Sequence, residues 1–466
     1  MAKIEVKYDP TIEQSDIIAR LDLSSPEESG DEYTKNPVEL QQTSIYGIQC
    51  PIIAVNDIMV AYEDILEFVL MDNNHIPSVS LHIMDRKSLI RILDTPENDN
   101  ELRIQILPPF EDTYKKINLT FLITNFQMGG LGNDLYINAE YKIPVFISKH
   151  FKSFGEKTTY ELFDKIASDS HLGFASNVEN GNDKRFIYCN YKSYKQLIDS
   201  EISKGGNEST IYDWWIDVWN YLNLANMYER YKSIDADEDM MVWISGAVDE
   251  VTEGAKLIPM EVPAELTNLF GSEESQLFVK SYRIHNSPES NIKYGTDKVY
   301  SVYSMKNKDY QDTYISDGDV KKDIFNDFEY KGEVYGDYDY ITNGLFRNPF
   351  LQKIKNNLLE VDLSQPLLGI QRGNHVTFAC YYNDDSIDYP TAGLKEIGVV
   401  DSDPQTETPV MDPDDPGSDS FKLDKSVSGQ YMVLGNIYRF AASEGWTQTI
   451  TLTRPIDQKP KLFEEE

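Results

Sequence analysis

The chain has little of what catalytic and metal sites are usually built from. Its 466 residues hold three cysteines, Cys50, Cys189 and Cys380, far apart and in no CxxC pair. That usage suits reduced thiols packed as small apolar side chains and argues against a disulfide framework. The six histidines, His75, His82, His150, His171, His285 and His375, form no HxH or HExxH pair, which zinc sites on one element need. A GxxxxGK[ST] loop and a GxGxxG turn are both missing, so nucleotide phosphates have no cradle. Nor is there a GxSxG elbow, and no cysteine sits in a motif that activates a thiolate. No catalytic residue, metal or cofactor is expected. With 78 Asp and Glu residues, chance carboxylate pairs are certain to occur, so a glycosidase of the cell wall stays open as a minor alternative.

Positive charge is scarce as well. The 43 Lys and Arg leave a formal net charge of -35, a surface that repels phosphate and excludes a clamp gripping nucleic acid by counterion release. An acidic wall still lets a polyanion pass without sticking. No run of 18 apolar residues occurs, and the opening Met-Ala-Lys leads into polar sequence rather than an apolar h-region. Synthesis and folding in the cytosol, without membrane insertion, are the expectation. No period of 20 to 50 residues repeats, which argues against solenoids and propellers.

What is abundant points to strands. Hydrophobic residues make up 40%, with 30 Tyr and 20 Phe, too rich for a disordered chain and suited to pleated, half-buried surfaces. The length implies about three domains. Residues 1–44 read as a polar arm, with an acidic run at 25–32. Within 45–149, alternating runs at 58–61, 66–70, 78–83, 102–106, 117–125 and 134–139 predict strands, with Gly129, Gly130 and Gly132 at a turn. Six short strands in so short a span suggest a small barrel or sandwich.

Residues 150–240 change character and predict an α+β domain. In 158–168 (TTYELFDKIAS), Leu162, Phe163 and Ile166 recur at helical spacing behind Thr158 and Glu161, a capping box. A second helix is predicted over 210–231, carrying Trp214, Trp215, Val218, Trp219, Leu222 and Ala225, with a strand at 184–189. Its tryptophans read as a packed apolar face rather than a sugar platform or membrane anchor.

Residues 241–354 mix short β-like runs, at 276–284 and 298–304, with polar connections. Strand signals return in 355–466, at Val361, 367–370, 376–382, 431–440 and 447–453, around an acidic, Pro-rich and Gly-rich loop at 401–420. Two acidic stretches imitate calcium loops and fail. Asp235, Asp237 and Asp239 are followed by Met240 where glycine is needed, and Asp412, Asp414 and Gly417 have Pro416 at the fifth position and Leu423 at the twelfth. Both read as solvated loops.

Four phrases in order carry a resemblance. Residues 154–178 (FGEKTTYELFDKIASDSHLGFASNV) resemble the segment opening the inserted domain of baseplate hub proteins of contractile-tail and other long-tailed phages. There a helix is followed by Leu-Gly-Phe-Ala, here Leu172, Gly173, Phe174 and Ala175, with Gly173 read as a left-handed helix terminator. Residues 56–85, ending in SVSLHIMD, resemble that family's first barrel. Residues 367–378 (LLGIQRGNHVTF), with Arg372 and Gly373 at a turn, and 428–454, with Trp446 in its hairpin, resemble the later barrel.

The resemblance implies a β-dominated α+β protein. Two small β-barrels per chain form a pseudo-sixfold ring in a homotrimer, beside an inserted α+β domain and peripheral loops. It implies a structural virion protein that adapts a sixfold tail tube to a threefold central spike. The ring would surround the path of tape-measure protein and genomic DNA, which pass without specific binding. The candidate structural and interface residues are Trp214, Trp215, Trp219, Gly173, Phe174, Arg372, Gly373 and Trp446. A competing class is a carbohydrate-binding tail adhesin, whose Tyr-rich loops would stack on sugars.

Overall fold

A computed structural model of the chain describes residues 4–12, 50–93, 100–106, 117–129, 133–178, 183–206, 210–234, 241–245, 276–286, 298–304, 309–315, 330–336, 357–363, 370–383, 421–423 and 427–454, with a few single residues between them. Gly130, Gly132, the 235–239 acidic run and the 401–420 loop lie outside the described residues.

Strand β1 (Glu5–Tyr8) comes first, followed by β2 (Ile52–Val55), β3 (Ile58–Met59), β4 (Ile65–Asp72), β5 (Ser78–Met84), a short helix α1 (Leu89–Leu93), β6 (Glu101–Ile106), β7 (Ile117–Gly129) and β8 (Asp134–Tyr141). Seven of these strands, in the order β3-β2-β6-β7-β8-β5-β4, form an antiparallel, curled half-barrel. They lie where alternation predicts them, because one face is buried. In β5 every second residue, Val79, Leu81 and Ile83, points inward at 1% exposure. Asn56 and Asp57, both at positive φ, make the two-residue turn between β2 and β3, the geometry that matches strand twist.

The inserted unit contains α2 (Pro144–Ile147), β9 (His150–Lys157), α3 (Thr159–Asp169), β10 (Gly173–Ser176), β11 (Arg185–Lys192), α4 (Tyr194–Glu201), β12 (Tyr212–Ile216), β13 (Tyr221–Asn226) and α5 (Met227–Lys232). The capping box of α3 is formed as the sequence predicts, with Thr158 and Glu161 exchanging bonds. Strands β1, β10, β13 and β12 make a four-stranded sheet, while β9 and β11 pair alone as a ribbon.

Three expectations are corrected here. The predicted helix over 210–231 is a hairpin, β12 against β13, followed by only six helical residues in α5. Both strands are buried at every position, so they show no alternation, and a continuous apolar run is ambiguous between buried strand and buried helix. The turn is set by Asp217, whose carboxylate accepts from the N–H groups of Trp219 and Tyr221, and by Asn220 at φ 69°. Secondly, the first residues of the polar arm are an edge strand: Ile4 to Tyr8 alternate apolar and charged, and β1 pairs with β10. Tyr8 donates to the Asp164 carbonyl at 2.8 Å. Thirdly, Gly173 does not terminate a helix. His171, at φ 59°, takes the left-handed position, and Leu172 N–H reaches back to the Ala167 carbonyl. Gly173 begins β10, where an added Cβ would lie 2.3 Å from the Tyr221 ring.

The remainder comprises β14 (Met241–Ser245), β15 (Gln276–Asn286), β16 (Lys298–Ser304), β17 (Asp309–Ile315), β18 (Tyr330–Gly336), β19 (Asn357–Leu363), β20 (His375–Asn383), β21 (Phe421–Leu423), β22 (Gly429–Ala441) and β23 (Gly445–Thr453). Strands β17-β16-β18 form a separate small sheet. Six others pair in a circuit: β20 with β14, β14 with β15, β15 with β19, β19 with β23, β23 with β22, and β22 back to β20. Two of its strands, β14 and β15, come from the 241–354 stretch read as a connecting region, since strand pairing partners leave no mark in local sequence. The strand predicted at 367–370 is not formed at Leu368 or Ile370, which are buried next to the turn at Arg372 and Gly373.

Strand β22 joins the two β units. Its first residues pair with β20, and from Asn436 to Phe440 it pairs with β4. The register shifts at Gly435, where a Cβ would meet Asn73 Cα at 2.6 Å. A glycine bulge thus lets one strand serve both units.

Candidate functional site

A buried polar cluster lies where the half-barrel, the inserted unit and the strand circuit meet. At its centre Asp213, on β12, is 2% exposed. Arg372 Nη2 donates to its Oδ2 at 2.6 Å, Arg347 Nη2 donates to its Oδ1 at 3.3 Å, and His75 Nε2 lies 3.4 Å from Oδ1. These three partners come from the β4–β5 turn, from residue 347 and from the turn before β20. Burial alone would push the Asp213 carboxyl up, but Arg372, His75 and Arg347 together hold it well below the usual carboxylate range.

Aromatic faces frame the charges. His75 stacks on Trp214 with centroids 4.6 Å apart, and the Arg372 guanidinium sits 5.0 Å from the Trp215 ring centroid. Trp214 also donates through its indole N–H to Asp199 at 3.1 Å. A backbone bond from Ile216 N–H to the His75 carbonyl, 2.8 Å, ties the turn to β12 directly.

A second set of bonds ties α5 to the circuit. Arg230 donates through Nε (3.0 Å) and Nη2 (2.5 Å) to the Gly373 carbonyl, and His375 Nε2 is 3.0 Å from the Arg230 carbonyl. Gly373, at φ +84°, turns its carbonyl toward Arg230. Beneath these, Asn436 donates to the Ile370 carbonyl and Gln448 donates to Asn436, both fully buried beside the Gly435 bulge. Asp72, on β4, is buried nearby; burial and the Asp217 charge raise its carboxyl well above the ordinary value, against the pull of Arg372. Burial, with Asp72 and Asp217, likewise raises the Tyr438 phenol.

The sequence-selected residues divide between this joint and the surrounding cores. Trp214, Trp215, Arg372 and Gly373 come together in it. Trp219 is buried at the β12–β13 turn, Gly173 and Phe174 lie in β10, and Phe174 packs on Tyr8 and Tyr160. Trp446 packs edge-on against Phe68 and Phe440, within the same buried cluster as Trp214. The residues missed are Asp213, His75, Arg230, Arg347, His375 and Asp72. A lone carboxylate among the aromatics of one strand, YDWWI, is the local signal that could have marked Asp213.

Chemically, the arrangement presents no nucleophile with an adjoining base. Among the described residues, no group of three His, Cys, Asp or Glu side chains is placed to hold a metal ion, and no helix is long and apolar enough to cross a membrane. What the cluster can do is fix three units in one relative position. Buried ion pairs of this sort define geometry more than they add net stability, while removal of one member leaves an uncompensated charge.

No family model matches the sequence, and no curated protein does. Among solved structures, the chain is similar to a tail protein of Neisseria meningitidis MC58 (9% identity, TM-score 0.49, 87% of this chain and 96% of that one). It is similar to a 43 kDa tail protein of prophage MuSo2 from Shewanella oneidensis (9%, 0.48, 87% and 98%). A third likeness is to the E. coli c3393 protein, a type VI secretion component described as structurally similar to T4 tail proteins gp27 and gp5 (10%, 0.39, 88% and 79%). Two of these neighbours are thus described as tail proteins, one of them from a prophage, and the third as a type VI secretion component. Each of these three superpositions has a TM-score under 0.5.

Proposed function

We propose that the chain is a structural subunit of a phage-type tail baseplate, a hub of which three copies form a ring around an axial channel. The observation that carries this reading is β22, which closes the strand circuit at one end and extends the half-barrel sheet at the other. One chain therefore holds two β units side by side in a continuous sheet. Three such chains around an axis would offer six β units to a sixfold tail tube on one side and threefold symmetry to a spike on the other.

The buried joint at Asp213 supports a mechanical role, because a ring that withstands contraction needs its units held at fixed angles. The acidic surface, -35 per chain, suits a channel through which tape-measure protein and DNA pass without adhering.

Light scattering on the purified chain tests the proposal. A mass near three times 53.5 kDa, annular particles by electron microscopy and co-purification of a trimeric spike are the outcomes expected. A monomer at all accessible concentrations, or a ring whose inner rim is lined mainly by Lys and Arg, would sink the oligomeric or the lubricating part respectively.

A further inference from the structure

The ribbon of β9 and β11 projects large aromatic side chains into solvent. Phe151 is 75% exposed, Phe186 64%, Tyr188 62% and Tyr191 58%. They belong to one face. In β11, Arg185, Ile187 and Cys189 point inward while Phe186, Tyr188 and Asn190 point out, and on β9 Phe151 and Ser153 face outward opposite Asn190 and Tyr188. Phe151 stacks on Tyr191 at 5.3 Å, and Phe186 lies 6.4 Å from Tyr188. The outward face is thus a row of aromatics, where a solvated strand would carry polar residues.

The same ribbon reverses the charge of the molecule. Residues 149–157 and 184–195 hold seven Lys and Arg against one acidic residue, Glu156, in a chain of net charge -35. Some of these cations are spent internally: Arg185 on Asp183 and Glu201, Lys152 on Asp169, Lys157 on Glu161, Lys195 on Asp199. Lys149, Lys184 and Lys192 have no acidic partner among the described residues, and Lys149 lies over the Tyr191 ring at 4.6 Å. Among the described residues, both outer edges of this two-stranded ribbon are unpaired.

From this geometry we infer that the β9–β11 face is a contact between copies of this chain, its aromatics and exposed lysines seated against the acidic surface of a neighbouring copy. Two chains of charge -35 repel one another, so self-assembly requires a local patch of opposite sign, and this ribbon is one. Aromatic rings supply the water-free centre such contacts need, and the lysines supply the complementary rim. Because the ribbon is basic and the surface it meets is acidic, the contact is head-to-tail, the kind that closes a ring of copies. The inference rests on the ring reading above and names the surface that builds it.

The test uses the full chain. Phe186→Ser with Tyr188→Ser, and separately Lys149→Glu with Lys192→Glu, alter exposed side chains only, so circular dichroism and thermal midpoint stay as in the wild type. Light scattering and sedimentation then read mass against concentration. The wild type is expected as an oligomer, and each double variant as a monomer, or with an association constant at least tenfold weaker. Raising salt from about 0.1 M to 1 M, which shortens the screening length from about 10 Å to 3 Å, is expected to weaken the wild type and to leave the serine variant unchanged. A wild-type oligomer whose mass survives both variants overturns the assigned surface while leaving the ring reading intact. A monomeric wild type overturns both. An oligomer unaltered by the serine variant, with retention on a polysaccharide column lost, would make the face a sugar platform and also overturn the inference.

Discussion

The two β units of this chain are built from similar strands yet are stabilised differently. The half-barrel shares one continuous core with the inserted unit: Phe68, Phe121 and Ile137 belong to the same buried cluster as Phe163, Phe174 and Trp214. The strand circuit has its own core of Val361, Phe378, Val433, Ile450 and their neighbours. Even the hairpin tip of β22 and β23 is divided, since Phe440 and Trp446 pack into the half-barrel's core rather than the circuit's. An open sheet needs a partner to cover it, whereas a closed circuit covers itself. The difference teaches that the half-barrel and the inserted unit share one core, to which the circuit is joined by β22, by the ionic joint and by a small apolar cluster of Trp215, Met227, Tyr231, Ile354 and Met432.

The strongest way to separate the two bodies is to hollow out one core. Phe378→Ala should cost about 3–5 kcal/mol, and hydrogen exchange should rise in β19, β20 and β23 while β5 and β8 stay protected. Equal loss in β5 would show that the chain has a single core. Asp213→Asn should cost about 3–5 kcal/mol, because Arg372 and Arg347 are left buried without their counter-charge. Calorimetry should then resolve two transitions where the wild type shows coupled melting, and a uniform downward shift would deny the joint its coupling role.

Gly173→Ala should cost about 1–3 kcal/mol by overpacking. The Tyr221 ring cannot move aside easily, since its hydroxyl is bonded to Asp9. Urea denaturation should place this loss in the half-barrel body only. Thr158→Ala removes the α3 cap and should cost about 1 kcal/mol, again confined to that body.

The smallest effect expected is a gain. The raised Asp72 carboxyl means that the folded state holds its proton more tightly than the unfolded chain does. Its contribution to stability therefore falls as pH rises above about 3.9 toward its folded value. Asp72→Asn should raise the midpoint at pH 7 and have little effect near pH 3. Asp213 has the opposite sign: its carboxyl is depressed on folding, so its contribution is present above about pH 4 and is lost as pH falls further. Midpoints of both variants across pH 2 to 8 check the two signs together.

Legibility followed burial. Strands with one wet face, such as β5 and β8, and the amphipathic helix α3 showed their periods openly, and their predicted bounds lie within a few residues of those observed. The fully buried pair β12 and β13 has no period to show, and its apolar run predicts a helix. The edge strand β1 did alternate, IEVKY, but its short length and charged company hid it. Of the joint, Trp214, Trp215, Arg372 and Gly373 were picked out singly, by aromatic density and by a turn. Their partner Asp213 was not, because its 159-residue separation from Arg372 is a fact of folding.

The sequence alone determined the β-dominated class, the acidic character, the capped helix and the absence of familiar catalytic motifs, since these depend on composition and on neighbours a few residues apart. Only the tertiary structure decided which strands pair across hundreds of residues, that β22 serves two units by bending at Gly435, and that one buried carboxylate gathers side-chain partners from three parts of the chain. Those outcomes depend on which surfaces meet, and the free energy of such meetings belongs to the assembled fold rather than to any local stretch of chain.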